Sequence, residues 1–169
     1  MREYEYVGSP DFIPKGDFPP RLKVEEAEAL LLWMQDHRSD MDIEECIPAT
    51  YVVDVDGQFW IADRGSEHVA CARVGRVLAA GEAFLSGMDE TPYIHRITNQ
   101  STGYCPEPES WQAVERALAG TGLEFPSGFD PAFEFRICPS CQTLAIVKDG
   151  YYTCLMCGAD LPLEWNIEG

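Results

Sequence analysis

The chain has 169 residues, 46% of them hydrophobic, which suits one folded domain of ordinary size with a small appended module. Its formal net charge of −17 disfavours direct nucleic-acid binding, where affinity comes from bases on phosphates, and favours a protein partner with a basic surface, or plain solubility. No run approaches ~18 apolar residues, so no helical membrane span is expected.

The start, Met1-Arg2-Glu3-Tyr4-Glu5, is too charged for a secretory signal, and the seven cysteines are an odd number, so a reducing cytoplasm is expected. Residues 1–22 hold Gly8, Pro10, Pro14, Gly16, Pro19 and Pro20. They read as an arm without regular structure, pinned by Tyr4, Tyr6, Phe12 and Phe18. Residues 23–38 read as a helix. Val24, Ala27, Leu30, Leu31 and Met34 share one face, and Glu25, Glu26 and Glu28 sit where the helix dipole favours acid. Residues 39–48 form an acidic loop whose spacing fits no calcium site. Residues 50–63 are a hairpin turning at Asp56-Gly57. Residues 68–72, 76–85 and 92–98 read as further strands. Within them Ala79-Ala80-Gly81 is a small-residue patch that permits close approach of another strand or of a ligand. A polar turn over 99–106 leads to a helix over 107–119, with Trp111, Val114, Ala117 and Leu118 on one face. Residues 133–137 are a strand leading into the C-terminal module, and Trp165 is an expected anchor.

That module is built on Cys138-Pro139-Ser140-Cys141 and Cys154-Leu155-Met156-Cys157, two Cys-x-x-Cys pairs. Tetrahedral Zn²⁺ takes four thiolates, at about 2.3 Å each, and a two-residue spacer lets both sulfurs of a pair face one ion. Residues 144–147 and 151–153 read as strands around Asp149-Gly150, a hairpin that would return the second pair to the first. The stretch 136–162 resembles a zinc ribbon. The expectation is one structural Zn²⁺ per chain on Cys138, Cys141, Cys154 and Cys157, because four sulfur ligands leave no position open. The same spacing fits a pair of redox motifs, disulfides or rubredoxin-like iron. The expected fold class is α+β: a mostly antiparallel sheet of four to six strands, two main helices and a C-terminal zinc ribbon. The expected division is an arm over 1–22, a body over 23–135, and ribbon with tail over 136–169.

A second set of chemistry-bearing residues runs from Arg64 to Glu109. Glu67, His68, Asn99, Ser101 and Tyr104 are candidate ligand-binding residues. Glu82, His95 and Cys105 are candidate catalytic residues, with Cys105 and His95 as a nucleophile–base pair or Glu82 as an acid or base. Equally, Asn99, Ser101 and Thr102 read as turn caps, Tyr104 as core and Cys105 as a buried thiol. Ala79-Ala80-Gly81-Glu82 with Ile97-Thr98-Asn99-Gln100-Ser101-Thr102-Gly103-Tyr104 resembles a block of some bacterial toxin-effector modules. Here Thr102-Gly103 stands where that block has Gly-His, so any chemistry of that histidine is lost. The whole chain, including Ser101-Thr102-Gly103-Tyr104-Cys105-Pro106-Glu107-Pro108, resembles an uncharacterised family of short bacterial proteins ending in a zinc ribbon. That resemblance implies a fold and a bacterial origin, not a reaction. The functional expectation is a non-catalytic acidic adaptor or immunity-type protein. The alternative is an enzyme or toxin-effector-like domain centred on Glu82, His95, Asn99, Ser101, Tyr104 and Cys105.

Overall fold

The computed structural model of the protein describes residues 1–168. Its principal sheet has five antiparallel strands: β1 (Arg21–Lys23), β2 (Ile47–Asp54), β3 (Phe59–Asp63), β4 (Val77–Ser86) and β5 (Tyr93–Ile97), in the order β1-β3-β2-β4-β5. β2 lies at the centre and is apolar on both faces, because both faces of the sheet are covered. Its hairpin with β3 turns on Asp54. One carboxylate oxygen of Asp54 accepts the Asp56 and Gln58 N–H groups, and the other accepts the Trp60 indole N–H at 2.7 Å.

One face of the sheet, carrying Ile47, Ala49, Tyr51, Val53, Ala79, Ala83 and Leu85, packs under α1 (Ala27–Asp36) and α3 (Trp111–Leu118). The opposite face, with Val52, Ala62, Val77 and Ala80, is covered by Tyr4, Tyr104 and α2 (His68–Cys71). The C-terminal module is a separate two-stranded sheet of β6 (Glu134–Ile137) and β7 (Leu144–Val147), with its own small cluster of Cys138, Val147, Cys154 and Leu161. The α+β class and the antiparallel sheet are as the sequence leads one to expect.

Several elements differ from the sequence reading. The helix over 23–38 begins only at Ala27. Lys23 belongs to β1, which pairs with β3, and the Val24 N–H bonds the Phe59 carbonyl, so the sheet edge claims the first residues of the expected helix. Residues 68–72 are a helical turn, not a strand. Val69, Ala70 and Cys71 are buried in succession, as one small-residue turn lying flat on a sheet allows, and Arg73 and Val74 then reverse the chain at positive φ. The arm over 1–22 is more regular than expected. Tyr4 makes a bridge with Val77 and is 2% exposed, and Tyr6 packs edge-on against Tyr104, whereas Phe12 stays exposed. Residues 151–153 form no strand. Tyr151 and Thr153 make only isolated bridges, because β7 takes β6 as its partner.

Candidate metal centre and the groove beside His68

The two cysteine pairs fold as matching knuckles. In the first, the Cys138 N–H bonds the Thr143 carbonyl and the Gln142 N–H returns to the Cys138 carbonyl. In the second, the Cys154 N–H bonds the Ala159 carbonyl and the Gly158 N–H returns to the Cys154 carbonyl. The residue after the second cysteine of each pair has a left-handed backbone, Gln142 at φ 59° and Gly158 at φ 76°. That left-handed step turns the chain back so that both sulfurs of a pair face inward. All four sulfurs lie within 4.8 Å of one another. Cys138 Sγ is 3.6 Å from Cys157 Sγ, and Cys141 Sγ is 3.7 Å from Cys154 Sγ. A tetrahedron with metal–sulfur bonds of about 2.3 Å has edges of about 3.8 Å, so the cage fits one tetrahedral ion.

Thr143, through its hydroxyl 3.4 Å away and its backbone N–H, holds the Cys141 thiol down at about 6. Cys157 goes the other way, to about 12: the Ala159 N–H favours its thiolate, but the Cys138 sulfur, loss of solvent and the other two sulfurs together outweigh it. Thiolates this close repel one another, and a bound cation is what lets all four lose their protons.

No known family, curated protein or solved structure matches the chain. The four-cysteine cage therefore stands on its own geometry.

The C-terminal two-stranded module is joined to the rest of the fold through Arg136 on β6, which is 2% exposed. Its guanidinium donates to both carboxylate oxygens of Glu107, at 2.7 and 3.3 Å, and to Glu134 at 3.3 Å. It also donates to the carbonyls of Phe135, Pro162 and Leu163. Burial pushes the Glu107 carboxyl above its usual range, although Arg136 pulls it down. The Trp165 indole N–H donates to the Cys105 carbonyl at 2.9 Å, and its ring meets Tyr4 edge-on. Trp165 thus anchors on the body. The sequence signalled this apolar anchor, but Arg136 gave no signal, since an arginine in a short strand reads as exposed.

Half of the second set of residues, Asn99, Ser101, Tyr104 and Cys105, is buried within the fold. Asn99 is fully buried; its side-chain amide donates to the Pro106 and Phe133 carbonyls and its oxygen accepts the Phe133 N–H at 2.7 Å. Both donors and one acceptor direction of that amide are spent on tying the loop after β5 to the segment before β6. Tyr104 is buried, donates to the Gly75 carbonyl at 2.8 Å, and is raised by burial. Ser101 is buried as well. Cys105 donates to the Thr102 carbonyl, and burial pushes its thiol up to about 12. His95 lies exposed on β5 with its ring against Tyr93. Cys105 is buried and His95 exposed, so the structure does not bring them together, and burial disfavours the thiolate form of Cys105. The small-residue patch serves a strand neighbour: a Cβ on Gly81 would stand 2.1 Å from the Thr98 carbonyl oxygen.

Three candidates do converge. Glu67, His68 and Glu82 line one cavity of about 260 Å³, shared with Arg64, Ser66 and Thr102. A second cavity of about 470 Å³ opens between Glu67, His68 and the Tyr6–Ser9 stretch. His68 Nε2 is 2.9 Å from the Gly81 carbonyl, which requires a proton on that nitrogen. Burial lowers the His68 pKa, only partly offset by that bond, so the ring stays neutral.

Proposed function

We propose that the protein is a non-catalytic acidic binding protein, an adaptor or immunity-type module, that holds one structural Zn²⁺ and engages a protein partner with a basic surface. Zinc is preferred to iron because a d¹⁰ ion accepts a tetrahedral four-sulfur cage without redox chemistry. When bound, the ion supplies folding energy to the ribbon rather than a reactive site. The body over 23–135 and the ribbon over 136–169 act as one carrier, with the arm over 1–22 lying across them, in a reducing cytoplasm. Among the described residues no helix is long and apolar enough to cross a membrane.

The observation that carries the reading is the charge. There are 29 acidic and 12 basic residues, and several bases are already engaged within the chain. Arg136 is buried on Glu107, Arg76 pairs with Glu3 and Glu5, and Arg21 lies over Trp60. The zinc–thiolate cluster would add about −2 more. Such a field speeds and selects encounter with basic surfaces. The test is affinity capture on the zinc-loaded protein, with each captured protein purified and re-measured at low and high salt. A basic partner whose binding weakens with salt is expected. A partner held equally at both would remove the electrostatic basis.

A second reading, an enzyme using Glu82 as an acid or base, has in its favour the convergence of Glu67, His68 and Glu82 on one cavity. A small molecule that raises the Tm of the natural protein and not of Glu82→Gln would favour it.

A further inference from the structure

On the face formed by the arm, the start of α3 and the tail, a cavity of about 450 Å³ is lined by Arg2, Tyr4, Glu107, Glu109, Glu164 and Trp165. It combines two aromatic rings packed edge to face at 77°, their centres 5.7 Å apart, with three carboxylates. Glu107 is committed to Arg136, but among the described residues neither Glu109 nor Glu164 makes an ion pair. The chain places one of its own cations there: the Arg2 guanidinium lies 4.7 Å from the centre of the Trp165 ring. Arg2 forms no ion pair among the described residues, so it uses the aromatic surface and leaves the two carboxylates unmatched. Beside it, an adjoining cavity of about 90 Å³ shares Arg2, Tyr4 and Glu109 and is lined by Ser110. Ser110 is 6% exposed, and its Oγ is buried with no hydrogen-bond partner. A buried hydroxyl without a partner is costly and marks a place where a donor or acceptor is missing.

We propose that this cavity is the seat of a cationic side chain of the basic partner, an arginine or lysine, with Arg2 occupying the aromatic part of the site until the partner displaces it. The inference rests on the acidic-partner reading above and names the place where that partner engages. A guanidinium entering there stacks on Trp165, as Arg2 does, and pairs with Glu109 and Glu164, which Arg2 does not. That difference is what allows an incoming cation to win over the resident one. Arg2 lowers the apparent affinity by the fraction of time it holds the site.

The probe is N-acetyl-arginine amide titrated into the zinc-loaded full chain, followed by the Trp165 indole N–H resonance, with the uncharged citrulline amide as control. Saturable binding of the arginine amide alone is expected. Arg2→Ala should tighten it, by up to about tenfold. Glu109→Gln/Glu164→Gln should weaken it at least about tenfold. Both sets of residues are exposed, so the fold is retained, and the indole shift of the free protein reports that directly. Absence of saturable binding to Arg2→Ala, or equal binding of the citrulline amide, overturns the proposal. So does unchanged binding to the Glu109→Gln/Glu164→Gln variant. The two levels separate cleanly. A captured basic partner that binds Arg2→Ala and the double variant like the natural protein sinks this site and leaves the acidic-partner reading standing on another surface. Arginine-amide binding without any basic partner does the reverse.

Discussion

Substituting Arg136 by methionine tests how the ribbon is held to the body. Methionine keeps roughly the volume of the side chain and deletes its charge. Glu107, which is 13% exposed at its side chain, is then left beside Glu109 and Glu134 with no cation, and the Phe135, Pro162 and Leu163 carbonyls lose a donor. Removing one partner of a buried pair costs about 3–5 kcal/mol. Glu107 keeps some water and burial already favours its protonation, which places the loss near the lower end, about 3 kcal/mol. For a chain of this length that lowers Tm by about 6–12 °C. Adding Glu107→Leu removes the stranded carboxylate and should restore about 1–2 kcal/mol, a coupling visible in a double-mutant cycle. Urea unfolding with zinc in excess keeps the metal contribution fixed across the series. A loss below about 1 kcal/mol for Arg136→Met, or strictly additive variants, would refute the reasoning.

The other predictions follow from single contacts. Asn99→Ala orphans one N–H and two carbonyls, so urea unfolding should show a loss of about 3 kcal/mol. Gly81→Ala drives a methyl into the Thr98 backbone, and hydrogen exchange should show β4 and β5 opening locally, at a cost of about 3 kcal/mol. His68 has a folded-state pKa below its ordinary value, so the unfolded chain binds the extra proton first. Its contribution to stability is complete above the unfolded pKa of about 6.5 and falls away as pH drops below that value toward the lowered one. His68→Gln, which can still donate to the Gly81 carbonyl, should flatten the pH dependence of Tm in that window. An unchanged slope would show that His68 titrates as if exposed.

What was legible in the sequence is what periodicity and spacing encode. Cys-x-x-Cys repeated with a strand between fixes four sulfurs through local geometry, and Asp56-Gly57 marks a hairpin that forms where expected. The failures occur where tertiary pairing overrides local pattern. Val24 continues the apolar stripe of α1, but it and Lys23 are taken by the edge of the sheet. The apolar run Val69-Ala70-Cys71 lacks the alternation of a half-buried strand, and it forms a helical turn. Asn99, Ser101 and Tyr104 have the composition of a binding loop. Asn99 and Tyr104 use that capacity inward, on the backbone carbonyls of Pro106, Phe133 and Gly75 and the Phe133 N–H, while the Ser101 hydroxyl is buried without a partner among the described residues. Arg136 is the clearest omission: its burial is set by Glu107, 29 residues away, and no local signal carries that pairing.

The claim on which the rest depends is a single ion closed off by four cysteine sulfurs. Elemental analysis of the protein purified without added metal, paired with thiol titration before and after chelation, tests it most directly. The account predicts about one zinc per chain, lost in Cys138→Ser and in Cys154→Ser, with Cys138, Cys141, Cys154 and Cys157 becoming reactive only after chelation. Metal-free protein with those four cysteines freely reactive or paired as disulfides, or zinc content unchanged in both variants, would contradict it.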